Sequence, residues 1–151
     1  MALIRIEVPN VYRWLWKLKV PLKIKIFLWY LRRGVTLTKD NLAKHNWQRS
    51  KTCCFCHKEE TIRHLFFDCR LARAIWSIAN LALGINKPHS STHMFGNWLG
   101  GLDKKLRPLV LLGAAAICWS IWLKRNNVVF EKPNYDSPVQ VIHVAIKWLC
   151  T

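Results

Sequence analysis

The strongest constraint on this chain is a set of four potential metal ligands within 17 residues. Cys53 and Cys56 form a C-x2-C pair, and His64 and Cys69 complete the pattern C-x2-C-x7-H-x4-C. The two thiolates of such a pair can bind one ion at about 2.3 Å from each sulfur, and two further ligands can close a tetrahedron. With every position filled by protein, no corner is left for water or substrate. The spacing therefore predicts one structural Zn²⁺ ion bound by Cys53, Cys56, His64 and Cys69.

Two other residues of the same segment are alternative ligands. Cys54 would form only a C-x-C pair with Cys56, a tight bite for tetrahedral zinc, and His57 directly follows Cys56. The sequence leaves open a substitution by either of them. Buried thiols or a disulfide are the simplest other interpretation, but four correctly spaced ligands favour zinc. A thioredoxin-type redox pair is disfavoured, because it requires a βαβ context that is not visible.

The composition describes a packed and basic protein. Its 151 residues are 52% hydrophobic and include nine tryptophans, which is enough for one domain or two small lobes with a real core. Six cysteines without a visible secretory signal indicate a reducing compartment, so we expect an intracellular protein of the nucleus or cytoplasm. The formal net charge is +16. Such a charge favours polyanions, of which nucleic acid is the commonest soluble one.

The positive charge is concentrated before and within the cysteine-rich segment. Residues 1–58 carry 13 basic and 2 acidic side chains, whereas residues 59–151 carry 11 and 6. Tryptophans Trp14, Trp16 and Trp29 lie among these cations, but at helical spacing they are more typical of a core than of base stacking. We expect phosphate contacts from eight cations, namely Lys17, Lys19, Lys23, Lys25, Arg32, Arg33, Lys51 and Lys58.

Apolar residues recur at helical spacing through most of the chain, which predicts a mainly α-helical protein. Pro21 suits the first turn of one helix and Gly34 its C-terminal end. The apolar run 109–123 has 15 residues. A membrane span needs roughly 20, so the run predicts a buried helix and no membrane partner. We expect helices over residues 21–34, 38–45, 70–83, 109–130 and 137–149.

Several segments taken together resemble a known family. They are WKLKVPLKIKIFLW at 16–29, LTKDNL at 37–42, the four ligands with Glu60-Thr61 and HLFF at 64–67, Ile75-Trp76, and WSIWLKRNNVVF at 119–130. The combination is similar to the reverse transcriptase zinc-binding family, found near the C-terminus of plant non-LTR retrotransposon polyproteins. The resemblance implies zinc ligands at the four residues already chosen by spacing. It also implies a role in holding element RNA or target DNA beside a polymerase.

The resemblance and the composition divide the chain into three regions. Residues 11–84 correspond to the reverse transcriptase zinc-binding domain, and residues 85–104, with three glycines, two serines and one proline, to a linker. Residues 105–151 form a C-terminal helical region that lacks a final helix stop signal and is expected to be truncated. The expected fold is a small helical domain built around a Cys3His zinc knuckle, with a C-terminal helical extension.

The expected function is non-catalytic. A polymerase needs clustered aspartates for two metal ions, and a deaminase needs a P-C-x-x-C motif beside its H-x-E; neither the aspartate cluster nor the P-C-x-x-C motif occurs. We therefore expect a retrotransposon-derived zinc domain that binds RNA or DNA. A reverse transcriptase domain is a second expected partner, and no small-molecule substrate is expected. The alternatives are a zinc-stapled protein-interaction module and a decayed remnant with no active role.

Overall fold

The structure is a computed structural model that describes residues 15–17, 19–130, 143 and 145–147. These residues contain no β-strand, apart from an isolated antiparallel bridge between Thr52 and Glu59. The prediction of a mainly α-helical protein is confirmed. The helices are α1 (Leu22–Arg33), α2 (Lys39–Lys44), a π-helical segment (His64–Asp68), α3 (Arg70–Leu83), α4 (Ser91–Phe95) and α5 (Arg107–Phe130).

Helix α1 ends at Gly34, as predicted, whereas Pro21 is its N-cap and not, as predicted, part of its first turn. Gly34 has a φ of 72°, a left-handed conformation that costs glycine little. Its N–H donates to Leu31 O, and the N–H of Val35 donates to Tyr30 O, which is the Schellman arrangement of a helix end. Four apolar residues at i, i+3, i+4 and i+7 predict one buried stripe, and all four are buried, namely Ile24, Phe27, Leu28 and Leu31.

One hydrophobic core joins α1, the π-helical segment and α5. Leu65, Phe66 and Phe67 of the π-helical segment are fully buried. The Phe66 ring lies 5.9 Å from the ring of Phe27 in α1 and 6.2 Å from that of Trp122 in α5. The segment that carries His64 is therefore part of the core.

Residues 85–104, predicted as a linker, contain α4 and contribute to this core. Ser90 is the N-cap of α4, and its Oγ accepts a hydrogen bond from His93 N–H at 3.1 Å. Met94, Phe95 and Leu99 are buried. The Ser- and Gly-rich composition predicted turns but did not reveal the few apolar residues that anchor them. The division of the chain into three regions stays a prediction.

Helix α3 has the predicted bounds, and part of its apolar face is buried. The apolar spacing predicts a core face of Leu71, Ala74, Ile75, Ile78, Ala79 and Ala82, widened by Trp76. Ile75 and Trp76 are buried as predicted, and Ala72 is buried in addition. Trp76 donates its indole N–H to Phe66 O at 2.8 Å. Beyond it, Ala79, Ala82 and Leu83 line an open groove that faces α5. Leu81 is 87% exposed and Leu83 63%. An apolar pattern shows which residues avoid water, but not how completely the neighbouring element covers them.

Helix α5 has 24 residues and, by length and composition alone, could cross a membrane. In the structure it packs against α1 and the π-helical segment, and most residues from Ala114 to Arg125 are buried. This part agrees with the predicted core helix, but Leu109 near its start is 65% exposed. The predicted last helix, 137–149, lies outside the described residues except for 143 and 145–147, which are helical.

Candidate metal centre

Cys53 and Cys56 lie on a tight loop between the two arms of the Thr52–Glu59 bridge. The N–H of Cys53 donates to Lys58 O at 2.8 Å, which closes the loop. Inside it, the N–H of Phe55 donates to Cys53 Sγ at 3.4 Å. An N–H group directed at a sulfur atom favours the thiolate, which is the form that binds a metal ion.

His64 and Cys69 are positioned by the π-helical segment. The N–H of Cys69 donates to His64 O at 2.6 Å, closing a turn between residues five apart. In an α-helix, two residues five apart would be rotated by about 140° around the axis, because each residue adds about 100°. The wider π turn brings them to nearly the same side. This local geometry allows an H-x4-C pair to serve one ion.

The four predicted ligands meet at one point. Their ligand atoms all lie within 4.8 Å of one another. Cys53 Sγ and Cys69 Sγ are 3.8 Å apart, which matches the edge of about 3.8 Å in a tetrahedron with Zn–S bonds of about 2.3 Å. Cys56 Sγ lies 3.0 Å from His64 Nε2, at hydrogen-bonding distance. Three thiols and one imidazole are a donor set that zinc prefers, so these residues fit one tetrahedral zinc ion.

The thiols of this region hold their protons unequally. Hydrogen bonds with Cys54 and Cys69 lower the pKa of the Cys53 thiol far below its ordinary value, although burial acts in the opposite direction. The hydrogen bond with Cys53, together with burial, raises the pKa of Cys54 and that of Cys69. The group thus contains one favoured thiolate. A zinc ion bound there would displace the proton of Cys69.

The two alternative ligands are not part of the group that the structure forms. Neither Cys54 nor His57 is among the atoms within 4.8 Å of one another. His57 is exposed, and Cys54 lines a separate recess with Trp47 and Arg49. The geometry favours the set chosen from the spacing, and the assignment of each of these residues as a ligand stays a prediction.

A buried ion pair that sequence reasoning missed supports the metal loop. Arg125 Nη2 lies 2.7 Å from Glu60 Oε1, and the two side chains are 1% and 0% exposed. Arg125 Nε lies 3.2 Å from both carboxylate oxygens, so the guanidinium contacts the carboxylate through two nitrogens. Glu60 Oε1 also accepts the N–H of Lys39, at the start of α2, at 2.8 Å. The pair therefore joins the metal loop to α2 and α5.

The link continues to a predicted ligand. Thr61 follows Glu60, and its Oγ1 accepts the N–H of His64 at 3.1 Å. In the sequence, Arg125 looked like the polar flank of an apolar run. Its spacing of four residues from Ile121 and seven from Cys118, both buried, is the signal that could have placed it in the core.

The eight cations predicted to contact phosphate are exposed or half-buried. Lys25 Nζ donates to Trp16 O at 2.9 Å, which ties residues 15–17 to α1. The guanidinium of Arg33 lies 4.8 Å over the Trp29 ring. The structure distributes the cations over two segments, with Lys17, Lys19, Lys23, Lys25, Arg32 and Arg33 in and before α1, and Lys51 and Lys58 on the arms of the metal loop.

Comparison with known proteins agrees with this site. Residues 2–76 match a family described as zinc-binding in reverse transcriptase. Over 73 residues the chain is 27% identical to an Arabidopsis thaliana protein named as a ribonuclease H protein; the match covers 48% of this chain and 12% of that protein. No solved structure matches.

These similarities support a retrotransposon-derived zinc-binding domain. The matched domain is a zinc-binding accessory domain and not a catalytic one. The Cys3His group is placed to bind one metal ion and lies within the matched residues. Through residues 2–76, the chain belongs to the family of zinc-binding domains in reverse transcriptase.

Proposed function

We propose that this chain is a structural zinc domain that binds nucleic acid and catalyses no reaction. The observation that carries the proposal is the closed Cys3His group, because four protein donors leave no position at which zinc could activate water. In the described part of the chain, Asp40, Asp68 and Asp103 do not join any group able to hold a metal. A two-metal polymerase site is therefore not supported.

Charge and an exposed face of α1 support nucleic-acid binding. The net charge of +16 attracts phosphate, and Lys23 and Arg33 lie at the two ends of the helix. Tyr30, between them on the exposed side, is 45% exposed, and its ring lies 5.4 Å from that of Trp29. Cations that neutralise phosphates and a ring that can stack on a base are the usual elements of a single-strand interface.

The test is a binding titration of the zinc-loaded protein with single- and double-stranded DNA and RNA of one length. With six to eight phosphate contacts, affinity for single strands should fall roughly 300- to 2,000-fold between 50 and 200 mM salt. In a second protein, Lys17, Lys19, Lys51 and Lys58 are changed to Ala. The slope of the logarithm of its binding constant against the logarithm of salt concentration should be smaller in magnitude by about 3.

The matched control changes four other exposed cations, Arg70, Arg73, Lys104 and Lys105, to Ala, and so removes the same charge. It should bind nearly as well as the unchanged protein. Equal losses in the two variants would show that only total charge matters. A salt-insensitive complex would contradict phosphate binding altogether.

An apolar groove between α3 and α5 favours a second candidate function, docking on a reverse transcriptase domain. The groove has a volume of about 660 Å³, and Leu83, Leu106 and Leu109 are among the leucines that line it. Leu83 and Leu109 are 63% and 65% exposed, which is unusual for a surface that stays in water. The match to 12% of a longer relative indicates that related sequences occur beside other domains of one polypeptide.

This second candidate is tested with a reverse transcriptase domain of a family member, supplied as a separate protein. Leu109→Asp should abolish its binding, whereas Leu37→Asp, at a 49% exposed leucine that does not line the groove, should not. Equal binding by both variants would exclude the groove as the docking site.

A further inference from the structure

We infer that a recess beside the metal loop is a nucleotide subsite that takes one unstacked base of a single strand. The recess has a volume of about 300 Å³. The inference rests on the proposed nucleic-acid binding and specifies where a base would enter. The residues that line it and carry the inference are Lys39, Trp47, Arg49, Ser50, Val128 and Val129.

The lining combines the groups that hold a nucleotide. The half-buried Trp47 offers a ring on which a base can stack, and Val128 and Val129 add apolar surface. Arg49 is exposed at the recess, and Lys39 adds a second cation whose Nζ is oriented by a hydrogen bond to Thr52 O. Among the described residues that line the recess there are two cations and no carboxylate.

The backbone places Trp47 at this recess. Helix α2 ends in a Schellman arrangement, with Asn46 N–H donating to Ala43 O and Trp47 N–H donating to Leu42 O, both at 3.2 Å. Asn46 has a φ of 65°, a left-handed conformation that asparagine tolerates better than most residues. Because this turn immediately precedes Trp47, local backbone geometry rather than core packing sets its position.

The recess is formed only when three elements are assembled. Lys39 begins α2, Cys54 of the metal loop lines the recess, and the two valines come from the end of α5. The buried pair of Glu60 and Arg125 joins these elements, since Glu60 binds the N–H of Lys39 and Arg125 lies one turn before the valines. This ion pair thus contributes to holding the aromatic, cationic and apolar sides of the recess together.

The occupant that fits this chemistry is single-stranded. A base inside a duplex is already stacked on both faces and offers only its edges, so it cannot stack on Trp47. Neither stacking nor a phosphate contact reads the 2′-hydroxyl, so RNA and DNA should be bound alike.

The first test compares Trp47→Leu with Trp47→Phe in the zinc-loaded full chain. Affinity for a labelled 15-nucleotide strand, made as DNA and as RNA, is measured by fluorescence anisotropy. Trp47→Leu should lower the affinity for the strand about 5- to 150-fold, the usual effect of losing one stacked base. Trp47→Phe should retain most of the affinity. The salt slope and the affinity for a duplex of the same sequence should not change, because no charge is removed. Zinc content confirms that both variants are folded.

The second test compares two charge reversals of equal size, Arg49→Glu at the recess and Lys104→Glu at an exposed position that does not line it. Arg49→Glu should weaken single-strand binding at least tenfold more than Lys104→Glu. Because both residues are exposed, neither change should disturb the core.

The outcomes separate the subsite from the wider function. If the unchanged protein binds single strands with steep salt dependence but Trp47→Leu binds as well as Trp47→Phe, the subsite is wrong and nucleic-acid binding stands. If the unchanged protein binds neither strand form at 50 mM salt, both proposals fail. An effect of Trp47→Leu on RNA alone or on DNA alone would contradict a contact that ignores the 2′-hydroxyl.

Discussion

Cys69 serves both the candidate metal group and the helix that follows it. Its side chain is fully buried, and its Sγ belongs to the Cys3His group. Its N–H closes the π turn, and its extended backbone, with φ of −60° and ψ of 149°, is the N-cap of α3. A change at Cys69 would therefore alter metal binding and folding together. Cys56, half-buried on the loop, isolates the role of the ligand.

Cys56→Ser is expected to remove the zinc ion. Removing groups that merely orient a ligand costs about 10- to 100-fold in metal affinity, so loss of a ligand should cost more than about 100-fold. Zinc content by atomic absorption, after purification under reducing conditions, checks this. Cys54→Ser is the matched control and should keep one zinc ion. The reverse result would show that Cys54 is the ligand.

Breaking the ion pair of Glu60 and Arg125 should strongly destabilise the fold. Arg125→Met leaves a buried carboxylate without its cation, which should lower the free energy of unfolding by about 3–5 kcal/mol. Glu60→Gln with Arg125→Met should recover part of this loss, because the amide oxygen can still accept the N–H of Lys39 without a buried charge. Urea unfolding of the zinc-loaded variants measures both effects. Equal stability of the single and double variants would mean that the charge of Glu60 is neutralised in another way.

At the scale of elements, α3 divides into a buried first half and an exposed second half. Trp76 packs against Phe67 with ring centroids 6.1 Å apart, whereas Leu81, on the next turns, faces water. The helix is continuous across this division and ends only after Leu83, at Gly84, which has a φ of 67°. Its stability therefore depends on residues near its N-terminus.

Substitutions in the two halves of α3 should differ sharply. Ile75→Ala removes a fully buried side chain and should cost about 2–5 kcal/mol in unfolding free energy. Leu81→Ala, at a residue 87% exposed, should change it by less than about 0.5 kcal/mol. Urea unfolding of both variants provides the comparison. A large loss for Leu81→Ala would mean that the exposed half is covered in solution.

At the scale of the whole molecule, the metal group is continuous with the core. Cys53 and Cys69 belong to the same buried cluster as Phe27 of α1 and Trp119 of α5. Because the ligands must come from both the loop and the π-helical segment, free energy of metal binding becomes free energy of folding. Removal of zinc should therefore destabilise α1 and α5 as well as the loop.

Zinc affinity should depend on pH in a defined direction. The pKa of Cys69 is raised, so its thiol is protonated in the metal-free protein at neutral pH, and zinc must displace that proton. Each displaced proton makes binding about tenfold tighter per unit rise in pH and weaker as pH falls. Competition with a chromophoric chelator between pH 6 and 8 measures this slope. A slope of zero would show that zinc binding releases no proton and would contradict displacement of the Cys69 proton.

The amino-acid sequence by itself determined the features that depend on neighbouring residues. The ligand pattern from Cys53 to Cys69, the end of α1 at Gly34 and the bounds of α3 follow from spacing and caps, which act within a hairpin or one helical turn. Tertiary structure decided what depends on remote packing. Glu60 and Arg125 are 65 positions apart, and only the docking of α5 on the metal loop brings them together. The same docking creates the recess at Trp47. Burial depends on what covers a residue, and local spacing carries no information about a segment that arrives from elsewhere in the chain.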